Sequence, residues 1–447
     1  MTPHSKVLQQ LRTYESRNMT GMEPDGSWPI IWERARGLHV WDLNGKRYLD
    51  LTSAFGVTAC GHANRRVVQA AQRQLAKLGH AMGDVHPHAL KARLARELSR
   101  ITFERWRRRA ALRGPSPASA VAHGKTLFCN SGFEAVEAAL KTARLATGRP
   151  GVVAFSGAYH GLGYGSLNAT HRNLFRAPFR DQLGGFGRFA PFPLTEHEVA
   201  GSLEKVERCL RRFPIGAILA EPVQGRGGIR VAPPGFLTAL EDLCRRHDVL
   251  LILDEIFTGF GRTGTWFACE HWDVVPDIIC LGKALTGGFP LSACVGAASL
   301  MDRAWPECDG EALHTSTFLG HPVGCAMALA QIEEIRSRRL VPRSGSLGRS
   351  LLHQLQRALP PAAAPWRVEV RGKGLMIGVA LHRPGGAPAG TEALDIVKRL
   401  LHRGFILLPE GEHGNVLSLT PPLTVNQDNL DRMVRAMTRA FKELSAS

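Results

Sequence analysis

Residues 249–283 read VLLILDEIFTGFGRTGTWFACEHWDVVPDIICLGK, and two short apolar runs frame the stretch. The runs at 249–253 (VLLIL) and 277–281 (DIICL) are each about as long as a strand and show no alternation of apolar and polar positions. Strands buried on both faces read this way, and they belong to parallel sheets covered by helices. In an open parallel sheet, ligands bind just beyond the carboxyl ends of the strands. Those ends carry Asp254-Glu255 after the first run and Gly282-Lys283 after the second.

Outward from this stretch the same pattern repeats. Apolar runs at 126–129 (TLFC), 152–155 (VVAF) and 216–220 (GAILA) alternate with helical patterns such as 133–146 and 235–246. The alternation predicts an α/β domain with a mostly parallel central sheet flanked by helices. Its further strand ends are Asn130-Ser131-Gly132 and Glu221-Pro222. A phosphate-type loop, two acids and a lysine therefore converge on one rim. Three stretches rich in Pro, Gly or Ala read as loops, at 114–123 (GPSPASAVAH), 360–365 (PPAAAP) and 383–390 (RPGGAPAG).

Each rim residue admits more than one role. Lysine is rare at a buried strand end unless it is paired or its amine is used. Desolvation at such a site lowers the lysine pKa and makes it a nucleophile toward an aldehyde; the alternative for Lys283 is a salt-bridging loop lysine. Asp254 can bind a metal, act as a base or pair with a cationic ring nitrogen, and no Asp/His cluster at ligand spacing supports a metal. With Lys283 beside it, the ring-nitrogen role makes chemical sense, because a carboxylate keeps such a ring protonated as an electron sink. Otherwise Asp254 is a capping or ion-paired acid. Ser131-Gly132 opens a helical segment, FEAVEAALKTAR. A helix N-terminus suits a phosphate, although Asn-Ser-Gly is also an ordinary capping sequence. Tyr159, in Tyr159-His160-Gly161, fits either stacking on a flat ring or simple core packing.

Taken together, NSGFEAVEAALKTAR, AYHG, EPVQGRGG, LDEIFTGFGRTG, LGKALTGGFPLSACVG and TSTFLGHP resemble the class III aminotransferases, pyridoxal phosphate (PLP) enzymes of fold type I. The early GLHVWDLNGKRYLDLTSAFGVTACGHA and the late RGKGLMIGVAL match as well, so the resemblance spans nearly the whole chain. It implies that Lys283 holds PLP as a Schiff base and moves the proton, and that Asp254 serves the ring nitrogen. Ser131 and Gly132 are then phosphate ligands, Tyr159 stacks on the ring with His160 nearby, and Ile256 also contacts the cofactor. Glu221 is a site acid expected to position Asp254 or His160 through hydrogen bonds. Thr317 is expected to reach the phosphate of a neighbouring subunit, which implies a homodimer with shared active sites. The implied architecture is a large PLP domain over 76–335 and a smaller α+β domain built from 1–75 and 336–447. The implied reaction moves an amino group from an amine or amino acid to a keto acid or aldehyde in two half-reactions. Amino-acid racemases or epimerases and aminomutases share the lysine and aspartate and stand as the alternative.

Four positions depart from the members that use glutamate and 2-oxoglutarate. An arginine that follows the aromatic-His-Gly is Leu162 here, and a glutamine that follows Asp-Glu-x is Phe257. A gating glutamate inside EPVQG-E-GG is Arg226, and the late arginine it pairs with is Ser418. Losing both partners is coherent, since losing the glutamate alone would leave an unmatched cation. Arg226 is accordingly a candidate for substrate-carboxylate binding, the alternative being an exposed loop arginine.

Composition bounds the rest. A length of 447 residues with 44% hydrophobic and 21% charged residues suits a globular protein of more than one domain. No apolar run approaches the ~20 residues of a membrane helix, so no membrane association is expected. The polar N-terminus lacks a secretory h-region. Nine cysteines without metal or disulfide spacing suggest a reduced, cytoplasmic protein. The net charge of +17 raises nucleic-acid binding, but the densest clusters, at 105–109 and 336–339, read as helix ends or exposed helical faces, and no nucleic-acid-binding motif accompanies them. No nucleic-acid partner is expected.

Overall fold

The structure, a computed structural model, describes residues 2–23, 27–111 and 123–446. Its centre is a seven-stranded sheet in the spatial order Gly124–Cys129, Ser292–Ala297, Ile278–Leu281, Leu250–Asp254, Ile215–Ala220, Gly151–Phe155, Gly187–Ala190. All five apolar runs are strands of this sheet. Ile215–Ala220, Leu250–Asp254 and Ile278–Leu281 are buried at every position, which is why none of them alternates. These three run parallel, with Leu250 beside Ala217 and Ile252 beside Ile278. The register sets Asp254 opposite Cys280, so Lys283 leaves the neighbouring strand at the same rim.

Ser292–Ala297 is the exception, antiparallel to both Ile278–Leu281 and Gly124–Cys129. Its SACVGA sequence is short and made of small residues, so it gives little strand signal. The expected helices are present as Gly132–Thr147 and Phe236–Arg246.

Two further four-stranded sheets flank the centre. One joins Trp32–Arg36, His39–Asp42 and Arg47–Asp50 to Phe405–Ile406, tying the two ends of the chain together. The other is antiparallel, in the order Arg367–Lys373, Met376–His382, Val416–Leu419, Leu408–Glu410. A two-stranded hairpin, Val223–Gln224 with Arg230–Val231, projects from the end of Ile215–Ala220. One continuous apolar core runs from Leu49 through the central sheet to Leu444.

Two expectations change. Residues 360–363 are not loop: helix Leu340–Ala363 runs through Pro360 and Pro361. The prolines fall in its last turn, where the acceptors they forgo lie on the exposed residues Gln356 and Arg357, while Leu359, Ala362 and Ala363 are buried and hold the turn. The basic cluster at 105–109 is also more than an exposed face. Trp106 is buried, and both Arg105 and Arg109 pair with the nearly buried Glu270. The 114–123 stretch, apart from His123, lies outside the described residues.

Candidate active site

A cavity of about 570 Å³ opens at the rim of the central sheet, and Lys283, Asp254, Gly132, Tyr159, His160, Glu221, Ile256 and Arg226 all line it. A second cavity of about 560 Å³ lies beside helix Gly132–Thr147, but neither Lys283 nor Asp254 reaches it. Position follows from the fold: Asp254 and Glu221 end parallel strands, Lys283 leaves a third, and Gly132 starts the helix that crosses behind them.

Lys283 has φ +40° and begins a 3₁₀ turn to Leu285. A lysine in the left-handed region carries backbone strain, which persists where surrounding structure enforces it. Burial pushes its ammonium below the ordinary lysine range, against the pull of Asp254, Glu221 and Glu410. Its Nζ lies 4.4 Å from the centre of the Phe257 ring. Phe257 is wedged tightly, since a methyl group at Gly225 would stand 2.4 Å from the ring. Glycine at 225 is what lets Phe257 occupy this wall.

Asp254 is held from two sides, by His160 Nδ1 at 2.8 Å from Oδ2 and by the Ile256 amide donating to Oδ1 at 3.1 Å. His160 is buried, and its Nε2 has no partner among the described residues. Glu221 reaches neither Asp254 nor His160 by a hydrogen bond, contrary to expectation. Its oxygens instead accept the backbone N–H groups of Tyr159 (3.0 Å) and Gly225 (2.9 Å), donors that the tight local turns leave otherwise unsatisfied. Burial pushes its carboxyl up to about 7, while His160 and the two amides pull the other way.

Ser131 caps helix Gly132–Thr147 through the Glu134 amide and donates to the Glu134 carboxylate at 3.2 Å. Among the described residues the amides of Gly132 and Phe133 have no acceptor, and helix geometry leaves such N–H groups to an external anion or water. Gly132 packs against Ile256, which a methyl group there would approach to 3.1 Å. Tyr159 meets Phe175 edge-on, 5.8 Å between centres. Thr317 is exposed and does not line this cavity.

Arg226 sits in the turn of the 223–231 hairpin with its guanidinium carbon 5.3 Å from the centre of the Tyr159 ring and its Nε 3.2 Å from Glu410 Oε2. Glu410 has a side chain only 6% exposed. Sequence reasoning missed it, along with Phe55 and Phe133 on the cavity wall. One signal was available: an arginine gained at 226 without its old partner requires a new acid nearby, and Glu410 stands on the strand paired with the one that carries Ser418.

A buried amine, a buried acid locked in orientation, a flat aromatic side chain and a bare helix N-terminus define a site for a phosphorylated aldehyde with a basic ring. The donor set fits PLP, and the unpartnered Nε2 of His160 and amides of Gly132 and Phe133 leave polar capacity for a group of that kind. The chain belongs to the class III aminotransferase family, whose model matches residues 22–441. It is 36% identical to the 5-aminovalerate aminotransferase of Pseudomonas aeruginosa, over 93% of this chain and 94% of that one. It is 34% identical to the acetylornithine aminotransferase of Methanosarcina mazei, over 94% and 93% of the two chains. Among solved structures, the ornithine aminotransferase of Toxoplasma gondii, with PLP at its active site, superposes with a TM-score of 0.82 at 26% identity, covering 99% of this chain and 95% of that one. The protein is thus a PLP-dependent aminotransferase of fold type I. Among the described residues no helix is long and apolar enough to cross a membrane.

Proposed function

We propose that this aminotransferase takes amino donors that bear a carboxylate, anchors that carboxylate on Arg226, and passes the amino group to a keto acid or aldehyde. The observation that carries the reading is Arg226 itself, the arginine that lines the cavity holding Lys283 and Asp254. A guanidinium recognises a carboxylate through two parallel N–H bonds. Two relatives, a 5-aminovalerate and an acetylornithine aminotransferase, are named for substrates with a carboxylate, which supports the same class.

In this reading Lys283 is the amine that holds the cofactor, and it takes and returns the substrate proton. Its lowered pKa keeps the amine neutral for that work at lower pH than a free lysine. Asp254 keeps the ring nitrogen protonated, and His160 and the Ile256 amide fix the carboxylate in the orientation that requires. PLP supplies the electron sink that lets a proton leave the carbon bearing the amino group. Gly132, with Ser131 setting the helix start, offers its amide to the phosphate. Tyr159 and Ile256, both on the cavity wall, would pack against the ring, and Glu221 holds the Tyr159 and Gly225 backbones in place. Exposed Thr317 completes the phosphate site of a second subunit in a homodimer, and the enzyme works in the cytoplasm.

Mixing holoenzyme with 5-aminovalerate and no acceptor tests the reaction and the substrate class together. One equivalent of carbonyl product per subunit and loss of the aldehyde chromophore are expected, and Arg226→Ala should raise the concentration needed. Return of donor without product, as a racemase or epimerase gives, refutes the reaction. An unchanged concentration dependence in Arg226→Ala refutes the anchor.

A further inference from the structure

Arg226 is fixed at two points to one turn of the C-terminal antiparallel sheet. Its backbone oxygen accepts the Gly411 amide at 3.1 Å, and its Nε stands 3.2 Å from Glu410 Oε2. The second contact is off the line of the N–H bond, so charge rather than hydrogen-bond alignment holds it. Neither Nη1 nor Nη2 has an acceptor among the described residues, although the residue faces the cavity. The guanidinium is therefore held by one edge with its outer fork free.

Glu410 constrains what Arg226 can do. Its carboxylate is almost wholly buried, and the cations that act on it are Arg226, Lys283 and Arg172. If Arg226 swung out on substrate binding, the buried Glu410 would lose its contacting counter-charge, and a buried charge left uncompensated is costly. A carboxylate docking on the free fork leaves the pair intact. An arginine suits this arrangement because its planar head presents separate edges to two anions, which an ammonium does not.

We propose that Glu410 is a positioning residue that braces Arg226 by its Nε edge, aims the free fork into the cavity, and thereby makes the enzyme select amino carboxylates over simple amines. The inference rests on the reading of Arg226 as carboxylate anchor. Because Arg226 belongs to the hairpin beside the central sheet and Glu410 to the C-terminal sheet, the anchor takes shape only when these two parts are docked.

The test uses holoenzyme with 5-aminovalerate and with pentylamine, which lacks the carboxylate. Glu410→Gln is expected to raise KM for 5-aminovalerate about 10-fold, as loss of a charge-assisted contact does, with kcat within about 3-fold of wild type and the KM for pentylamine unchanged. Calorimetric binding of pentanoate, which cannot react, should weaken by the same factor. Arg226→Lys should behave like Glu410→Gln, since its ammonium cannot serve both anions. Should Glu410→Gln fail to fold, Glu410→Asp, shorter by one methylene, should shift KM and pentanoate affinity in the same direction by a smaller factor. If Arg226→Ala leaves pentanoate binding unchanged, the carboxylate reading falls and the brace with it. If Arg226→Ala weakens pentanoate binding but the Glu410 variants match or exceed wild type, the anchor stands and the brace is overturned. An equal rise in KM for both donors also overturns it, because it marks general damage to the fold.

Discussion

The wall that carries Lys283, Asp254 and Gly132 and the wall that carries Arg226, Glu410 and Phe55 enclose one cavity, but they are built from different kinds of structure. The first is cut from a single sheet and its covering helix. Asp254 and Lys283 leave adjacent parallel strands, so the hydrogen-bond register alone brings Asp254 and the exit toward Lys283 to one rim. The second is gathered from a turn near residue 55, a hairpin near 226 and an edge strand near 410, three places with no shared ladder. A wall fixed by a buried ladder tolerates little change, whereas one made of loops and strand edges can be altered piece by piece. In this chain the second wall holds the altered ion pair of the glutamate-using pattern, and that pair runs with opposite polarity: the cation on the hairpin, the anion on the strand next to the one that carries Ser418.

Substitutions on the two walls should therefore differ in kind as well as in size. The largest effect belongs to Lys283→Ala, which removes the group proposed to transfer the proton and should lower the single-turnover rate by about 10³-fold or more. Rates within tenfold of wild type would break the division, because the first wall would then hold no indispensable group. Next comes a pH effect at Glu221. Its carboxyl is pushed up to about 7, so the folded protein keeps a proton that the unfolded chain releases near the ordinary glutamate value. The folded state is favoured most below that ordinary value and loses the contribution as pH rises toward 7. In apoprotein, the stability of wild type relative to Glu221→Gln should fall across this window by at most about 3 kcal/mol. A difference that is flat or rises with pH would contradict it.

A smaller effect is expected where the walls meet. Gly225→Ala drives a methyl group into the Phe257 ring and should cost about 1–3 kcal/mol in denaturant unfolding, with most of the loss recovered in a Phe257→Ala background. Additive losses would show that Phe257 does not fill this space. Smallest is Ser131→Ala, which removes a helix cap and should lower apoprotein stability by about 1 kcal/mol.

The first wall was legible because full burial leaves an unmistakable mark: apolar runs without alternation, each followed by a polar residue that must have a reason to be there. Ser292–Ala297 escaped since it is made of small residues and runs against its neighbours. Pro360 and Pro361 misled because a helix end tolerates what a helix interior does not. Glu221 was picked out as a site acid, but its partners are backbone amides, and nothing in a sequence shows which amides a turn leaves unsatisfied. Glu410 escaped for a different reason: the arginine gained at 226 called for an acid nearby, but not for any particular one. An acid on an edge strand acquires meaning only when the fold sets it against Arg226, and no local pattern records a contact between residues so distant in the chain.

Chemical trapping at the first wall tests the account most directly. Borohydride reduction of the holoenzyme fixes the cofactor to whichever lysine holds it, and a modified lysine resists trypsin. The account predicts a labelled peptide spanning 263–303, uncut at Lys283. A label on any other lysine, with cleavage after Lys283, would contradict it.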